Sequence, residues 1–413
     1  MKPGTVIEFE VNALVYGGEG IGRLEDGRAV FVSYCLPGER VKAQIVEEKR
    51  GHVRARLVYV SKPSEMRIMP RCAHYTICGG CHYQHIPYSQ QLEIKQNILK
   101  EQLQRIAGVK DPVLDACRPS PSEWNYRNTV QFHLADNGRL GYHQIGSGEV
   151  IPIQECHLPV AGIDQLWKQI EMEPLQEIER VELRSGVDED LMLVLESENP
   201  TLDAEFALDL PISAVHIGPD GPTILAGDGY LVMQVKDQLF RVSAPSFFQV
   251  NTGQAEAMVD HLLKVLPLTK ETVVMDLYSG VGLFSAFLAP RVKECVAVEV
   301  AESSCDDFAI NLDAHDNVSL YMGAAEDILP GLDVKPQVVV VDPPRSGIER
   351  RALDALIALH PEVIAYISCD PSTLARDLKR ILASGYILEK VTPFDLFPQT
   401  YHIESISILR LEG

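Results

Sequence analysis

The chain has 413 residues, enough for two or three domains, and its composition, 46% hydrophobic and 23% charged, is that of an ordinary globular protein. No apolar run approaches the ~20 residues of a membrane span, and the N-terminus lacks the apolar core of a signal peptide. We therefore expect a cytoplasmic protein with no membrane partner. The net charge of −21 excludes a protein that coats nucleic acid broadly.

The negative charge is concentrated in one segment. Residues 161–230 carry 16 acidic and 3 basic side chains, whereas residues 1–71 carry 12 basic and 9 acidic ones. A locally basic N-terminal face could therefore still bind phosphates. Nine cysteines in a cytoplasmic chain indicate reduced thiols, a metal site or catalysis rather than disulfides.

The N-terminal residues 1–62 have the pattern of a small OB-type β-barrel, in which short strands alternate with glycine turns. Strands are predicted at residues 5–11, 29–33, 40–47 and 53–60. The stretch resembles the TRAM domain, an RNA-binding barrel attached to RNA-modifying enzymes. A solvated barrel surface is the alternative to a basic binding face. That face would consist of Arg40, Lys42, Lys49, Arg50, Arg54 and Arg56.

A group of cysteines follows the barrel, with Cys72, Cys78 and Cys81 in C-x5-C-x2-C spacing and two glycines that let the backbone fold around a ligand. A tetrahedral site needs a fourth thiolate, for which Cys156 is the candidate. Four thiolates fit zinc or an iron–sulfur cluster. Zinc knuckles usually contain a second C-x2-C pair, and its absence favours a 4Fe–4S cluster with a structural or RNA-site role. Unbound cysteines in a loop are the alternative.

Residues 88–107 have apolar side chains at helical spacing and end before Gly108, which predicts an amphipathic helix. This helix belongs to the predicted central α+β domain, residues 63–240, but it is also able to pack on the C-terminal domain.

A β-hairpin is predicted at residues 129–134 and 139–142, with its turn at an Asn-Gly pair. Just before it, Trp124, Tyr126 and Arg127 could stack on or clamp an RNA nucleotide. Packing of the two aromatic rings in the core is equally consistent with the sequence.

From residue 241 to 413 apolar strands alternate with helical stretches, which predicts a doubly wound, mainly parallel sheet. The strands are predicted at residues 272–277, 295–300, 318–322, 338–341 and 363–368, with an antiparallel hairpin at 386–395 and 403–411. The predicted fold class is therefore multidomain α/β. It combines an N-terminal OB-like barrel, a small α+β cluster-binding domain and a C-terminal Rossmann-like domain.

A cofactor loop is predicted after the first of these strands, where Asp276 begins the pattern D-x-x-x-G-x-G that contains Gly280 and Gly282. Glycines there let a ligand approach the backbone closely. Glu299 ends the second strand and could accept hydrogen bonds from both ribose hydroxyls. The pattern is shorter than that of dinucleotide-binding loops and favours S-adenosylmethionine, with NAD as the alternative.

Cys369 lies at the carboxyl end of the strand at 363–368, just before a helix that begins with Pro371. Ligands bind at that edge of open α/β sheets, and the positive end of the helix favours a thiolate. A buried structural cysteine is the alternative. Asp342, in a D-P-P-R segment, ends the neighbouring strand. Carbon methylation of a pyrimidine requires such a thiol, because C5 of uracil is a poor nucleophile until a group adds to C6.

The segments DLYSGVGLFS, VEV, DPPRSG, YISCDPSTLARDL and FPQTYHIE resemble the RNA uridine-5-methyltransferase family. With the barrel and the four cysteines, nearly the whole chain is similar to the branch that methylates uracil C5 in bacterial 23S ribosomal RNA. The resemblance implies S-adenosylmethionine as methyl donor, a 4Fe–4S cluster, Cys369 as nucleophile and Glu404 as general base. It places Gln249, Tyr278, Glu299 and Asp342 around the cofactor and the uracil.

Two positions depart from the family. Many relatives have a polar residue where Leu283 stands, and a family side chain is also lost at Ala324. Some cofactor contacts there must be made by backbone or water.

The expected partner is structured RNA, with no obligate protein partner and a monomeric chain. The same chemistry could methylate the T-loop uridine of transfer RNA. The TRAM-like barrel favours ribosomal RNA as the substrate over transfer RNA. The alternative from a different functional class is a protein that carries an iron–sulfur cluster and binds RNA without catalysing a reaction.

Overall fold

The computed structural model describes residues 2–170, 172, 178–202 and 211–412. Its strands form a closed barrel, two seven-stranded sheets and a separate two-stranded hairpin. Within the described ranges no helix has both the length and the apolar character needed to cross a membrane.

The N-terminal barrel is closed by pairing of its first and fourth strands, which confirms the predicted OB-like fold. Its strands are β1 Val6–Leu14, β2 Glu19–Arg23, β3 Ala29–Ser33, β4 Arg40–Glu48 and β5 His52–Lys62. The sequence pattern did not predict β2, because its glycines read as a turn. Gly20 and Gly22 face the crowded interior, where an added Cβ would collide with the side chains of Cys35 and Phe9.

The central sheet has the strand order β12-β11-β10-β9-β6-β7-β8. Its elements are β6 Thr129–Leu134, β7 Leu140–His143, β8 Val150–Pro152, α2 Ala161–Trp167, β9 Ile178–Ser185, β10 Leu191–Ser197, β11 Ser213–Gly218 and β12 Gly221–Ala226. The β6–β7 hairpin forms as predicted, with Gly138 at φ +77° in its turn. Residues 161–230, which carry the acidic excess, are mainly strand in their described part.

The C-terminal sheet has the order β17-β16-β15-β18-β19-β21-β20 and confirms the predicted Rossmann-like fold. Its strands are β15 Val273–Leu277, β16 Glu294–Glu299, β17 Val318–Met322, β18 Val338–Val341, β19 Val363–Ser368, β20 Tyr386–Phe394 and β21 Glu404–Leu411. The helices around it are α3 Thr252–Val265, α4 Leu283–Leu288, α5 Glu302–Asn311, α6 Ala325–Ile328, α7 Arg350–Ala358 and α8 Pro371–Leu382. The first five strands are parallel, so their carboxyl ends meet at one edge.

Two segments that begin before residue 241 pack on this sheet. The hairpin of β13 Tyr230–Val235 and β14 Gln238–Ser243 shares a core with α3, and the predicted domain boundary at 240/241 falls inside β14. Helix α1, Tyr88–Gln102, continues as a π-turn to Ala107 and buries its apolar face against α8.

Candidate active site

The predicted nucleophile lies where the sequence places it. Cys369 directly follows the buried strand β19 and directly precedes α8, which begins with Pro371. Asp370 caps that helix, because one of its carboxylate oxygens accepts hydrogen bonds from the backbone N–H groups of Ser372 and Thr373 at 2.8 and 3.0 Å. The thiol is half-buried at the carboxyl edge of the sheet.

Two carboxyl groups face this thiol. Asp342 follows β18 and Glu404 begins β21, and these two strands flank β19 on either side. Glu404 is only 4% exposed. Burial, and next the nearby Asp342, raise the pKa of Glu404 well above its usual range. Burial, and next Asp276, raise the pKa of Asp342 to about 7. The sheet thus gathers one thiol and two carboxyls that all resist ionisation.

The thiol of Cys369 is not the low-pKa group that its helix position suggests. Burial, followed by Glu404 and Asp342, raises its pKa to about 12, while Arg345 acts in the opposite direction. The resting thiol is therefore protonated at neutral pH.

A cavity of about 1020 Å³ opens at the carboxyl ends of the parallel strands. Among the residues that line it are Tyr278, Glu299, Val300, Ala324 and Pro344. The Glu299 carboxylate is fixed at its edge, because it accepts hydrogen bonds of 2.8 Å from the backbone N–H groups of Gly280, Val300 and Ala301. Both oxygens of this carboxylate therefore accept hydrogen bonds from the backbone.

The loop between β15 and α4 has a left-handed backbone at three positions. Tyr278, Gly280 and Gly282 have φ values of +61°, +54° and +93°. A side chain at Gly282 would lie 2.9 Å from the Phe308 ring, so only glycine fits this turn. The strain at Tyr278 is of the kind that collects at ligand sites.

Two buried polar atoms in this loop have no hydrogen-bond partner among the described residues. They are Oδ1 of Asp276 and the hydroxyl of Ser279. The other oxygen of Asp276 accepts a hydrogen bond from Ser285 at 2.6 Å, and burial raises the Asp276 pKa to about 7. Buried polar atoms are rarely left unpaired, so this loop fits a polar ligand.

Gln249 is the remaining predicted cofactor residue, and Leu283 and Ala324 are the two positions that depart from the family. Gln249 stands just before α3, where its carbonyl accepts a hydrogen bond from the Asn128 side chain at 2.9 Å. Leu283 begins α4 and is buried in the apolar core, whereas Ala324 lines the large cavity.

A second cleft, of about 630 Å³, separates the central sheet from the C-terminal domain. Its lining includes Arg127, Arg184, Phe247, Arg345, Phe397 and His402. Phe247 is 67% exposed, and the Arg127 guanidinium lies 5.6 Å from the centre of the Phe397 ring. This cleft, rich in arginine and aromatic groups, suits a nucleic acid that carries phosphates and stacking bases. The sequence gives no local signal for Phe247, Arg345 or Phe397 as site residues, because they come together in one cleft only in the folded chain.

The residues before the β6–β7 hairpin divide between core and surface. Tyr126 is buried, and its hydroxyl donates to the Pro398 carbonyl at 3.1 Å, so this ring packs in the core. Trp124 is partly exposed beneath the Arg71 guanidinium, at 5.2 Å from its ring.

The four predicted cluster cysteines line one small cavity of about 50 Å³, namely Cys72, Cys78, Cys81 and Cys156. The Gly80 N–H donates to the Cys78 sulfur at 3.3 Å, and all nine cysteines, each within a described range, are free of disulfides. In the described part of the chain, no three or more Cys, His, Asp or Glu side chains are grouped so as to hold a metal ion.

The predicted basic face of the barrel lies on the outer sides of β4 and β5. Arg40 and Lys42 lie on β4, and Arg54 and Arg56 lie opposite on β5. Carboxylates neutralise part of this charge, since Arg40 pairs with Glu8 at 3.1 Å.

Comparison with known proteins decides the family. A family model described as tRNA (Uracil-5-)-methyltransferase matches residues 228–411, and a TRAM domain model matches residues 1–58. An uncharacterized RNA methyltransferase of Synechocystis is 33% identical, across 99% of this chain and 96% of that protein. One from Listeria monocytogenes is 31% identical, across 100% and 99%. The chain belongs to the RNA uracil-5-methyltransferase family.

A solved structure shares the fold of this family member along nearly its whole length. It is Pyrococcus abyssi tRNA (uracil-54, C5)-methyltransferase in complex with S-adenosyl-L-homocysteine. The TM-score is 0.75 at 23% identity, and the match covers 98% of this chain and 100% of that one. The order of barrel, central region and methyltransferase sheet is therefore common to both proteins.

Proposed function

We propose that this protein transfers a methyl group from S-adenosylmethionine to C5 of a uridine in structured RNA, by way of a covalent bond between Cys369 and C6. The observation that carries the proposal is the convergence of Cys369, Asp342 and Glu404 on the same carboxyl edge of the sheet at which the large cavity opens. A thiol and two carboxyls are the groups that this reaction needs.

The cavity and the neighbouring loop between β15 and α4 have groups that suit an adenosyl amino acid. Glu299 would accept hydrogen bonds from the ribose hydroxyls, and Gly280 and Gly282 let the ligand approach the backbone. Asp276 and Ser279 offer the unpaired polar atoms that the charged end of the ligand would satisfy. Bound S-adenosylmethionine supplies an electrophilic methyl group.

The protein's own residues would act in sequence on a uridine swung out of its RNA stack. Cys369 would pass its proton to solvent and add to C6 as a thiolate, which makes C5 nucleophilic. After C5 has gained the methyl group, with S-adenosylhomocysteine as the leaving group, Glu404 removes the C5 proton, and the C6–sulfur bond breaks to release Cys369 as thiolate. The raised pKa of Glu404 makes it a strong base once it is ionised. Asp342 would hold the uracil edge.

The RNA class is the finer part of the proposal. The sequence favours 23S ribosomal RNA through its barrel and its four cysteines. The Pyrococcus abyssi protein named above is a transfer-RNA enzyme, and its fold matches 98% of this chain. The barrel is therefore weaker support for ribosomal RNA than the sequence suggests, and we keep transfer RNA as the second candidate.

We further propose that the four cysteines hold a 4Fe–4S cluster. Their common cavity and the backbone N–H on the Cys78 sulfur support it, since N–H groups stabilise metal-bound thiolates. Reduced thiols also fit the expected cytoplasmic location. A monomer is the expected oligomeric state, which the elution volume on a calibrated sizing column would test.

One experiment tests the reaction and its substrate together. Purified protein is incubated with methyl-labelled S-adenosylmethionine and total RNA from cells that lack the gene, and the RNA classes are then separated. We expect labelled 5-methyluridine in a single class, ribosomal or transfer RNA. Absence of labelled 5-methyluridine from every class, with a cluster-loaded protein, would contradict the proposal.

A further inference from the structure

A hydrogen bond joins the N-terminal barrel to the residue next to the nucleophile. The Tyr16 hydroxyl, in the turn between β1 and β2, donates to Oδ2 of Asp370 at 2.9 Å, across 354 positions of sequence. The other oxygen of Asp370 caps α8. The barrel therefore holds the same carboxylate that orients the start of the helix behind Cys369.

The turn that carries Tyr16 fits tightly against the neighbouring loop. The Tyr16 ring packs edge-on against Tyr401, with ring centres 5.8 Å apart. A Cβ at Gly18, which has φ +80°, would lie 3.3 Å from Tyr401 and 3.4 Å from the Cβ of His82. Tyr401 is three positions before Glu404, so the barrel turn contacts the segments that carry both predicted reactive groups.

We propose that Tyr16 is a positioning residue of the methylation site, through which the barrel fixes the Asp370 carboxylate and thereby the place and the charge environment of Cys369. This inference rests on the proposed function. It makes the barrel part of the active site as well as a candidate RNA-binding module. Tyr16 itself does not contact the reacting atoms in this account.

The physical reason lies in the charges around the thiol. Cys369 already faces Glu404, Asp342 and Arg345, and Asp370 is its immediate neighbour in sequence. A hydroxyl that donates a hydrogen bond to a carboxylate disperses part of the negative charge of the carboxylate and fixes the position of that group. Without the Tyr16 hydroxyl, the Asp370 carboxylate would oppose formation of the thiolate more strongly and would hold the helix start less firmly.

The first test is a kinetic comparison of Tyr16→Phe with Tyr386→Phe. The control also loses a hydroxyl bond of 2.9 Å, from Tyr386 to the Pro361 carbonyl, but away from the site. We expect Tyr16→Phe to lower kcat about tenfold, which is the effect of losing one hydrogen bond to a charged group. The KM for RNA should stay within about twofold of wild type. A kcat within about twofold of the control would overturn the inference, and so would a loss confined to KM.

The second test needs neither RNA nor cofactor. The rate of iodoacetamide alkylation of Cys369 is followed at pH 8 by mass spectrometry of its peptide. We expect Tyr16→Phe to slow the reaction about threefold, because fewer thiols are ionised. A site that is merely loosened would expose the thiol and react faster, which would count against the inference, as would an unchanged rate.

An Asp370→Asn background supplies the remaining control. Asparagine also caps helices but has no charge to disperse, so adding Tyr16→Phe should not slow alkylation further. A further slowing there would refute the role of the carboxylate. The two proposals fail separately: an inactive wild-type protein refutes methylation, whereas active wild type with an unaffected Tyr16→Phe refutes only the positioning role.

Discussion

The Lys95 ammonium lies 2.6 Å from the Asp395 carboxylate, and both side chains are completely buried. The same ammonium donates to the Phe397 carbonyl at 3.0 Å. This pair connects α1 to the segment between β20 and β21, which leads to Glu404. A helix from the central part of the chain is thereby fixed to the loop that precedes the predicted general base.

Removing only one member of this pair should be strongly destabilising. We expect Lys95→Met to lower the free energy of unfolding by about 3–5 kcal/mol, because it leaves the Asp395 charge buried without its partner. Urea denaturation followed by circular dichroism measures the loss. The exposed Lys168, paired with Asp164 at 2.7 Å, is the matched control, and Lys168→Met should cost at most about 1 kcal/mol. Equal losses for the two variants would contradict this account.

The buried Asp276 predicts a pH dependence of stability in the cofactor-free protein. Its pKa is raised to about 7 in the folded state, so its contribution to stability is full below its unfolded pKa and is lost as the pH rises through 7. Asp276→Asn keeps the Ser285 contact but cannot ionise. We therefore expect this variant to have a higher Tm than wild type at pH 8 and a smaller difference at pH 5. Asp276→Asn should also weaken S-adenosylmethionine binding in calorimetry. A Tm gain larger at pH 5 than at pH 8 would be inconsistent with a raised pKa.

The cluster proposal predicts a colour change in cysteine variants. Protein purified without oxygen should be brown, with about four irons and four sulfides per chain. Cys156→Ser should lose the visible absorbance and most of the iron, whereas Cys117→Ser, a buried cysteine elsewhere, should retain both. Stoichiometric zinc in a colourless wild-type protein would favour the other metal that four thiolates suit.

The outer face of the barrel predicts a salt effect. Lys42→Ala combined with Arg56→Ala removes two cations from adjacent strands. We expect KM for RNA to rise with kcat retained, and the slope of log affinity against log salt to fall by about 1–2, because fewer counterions are released. Lys335→Ala with Lys293→Ala, from the C-terminal domain, is the control pair. An unaltered slope in the barrel variant would place RNA binding elsewhere.

The sequence predicts the C-terminal sheet almost to the residue. Val338–Val341 and Val363–Ser368 are found as predicted, because buried parallel strands are continuous apolar runs bounded by polar turns. The barrel strand β2 is not predicted from the sequence. Its glycines are needed because side chains from other strands, such as Phe9, leave no room for a Cβ, and a local pattern does not show these contacts. The local sequence pattern therefore predicts a strand whose residues are all buried. It fails for a strand in which contacts with other elements determine the residue types.

The candidate site is likewise only partly predictable from the sequence. Positions next to strand ends, such as Cys369 and Asp342, follow from where parallel strands end. The raised pKa of Cys369 does not, because it depends on burial and on the Glu404 and Asp342 carboxyls, one of them from a strand inserted beside β19. The contact of Tyr16 with Asp370 has no local signal at all, since it joins two domains across 354 positions.

The covalent step can be measured most directly by trapping it. Glu404→Gln is mixed with S-adenosylmethionine and the RNA class identified above, and the products are run on a denaturing gel. We expect an RNA–protein adduct that maps to Cys369, because addition and methyl transfer can occur without the final proton removal. Glu404→Gln combined with Cys369→Ala should give no adduct and no methylation. Methylation that persists in Cys369→Ala, or an adduct on another residue, would contradict the account.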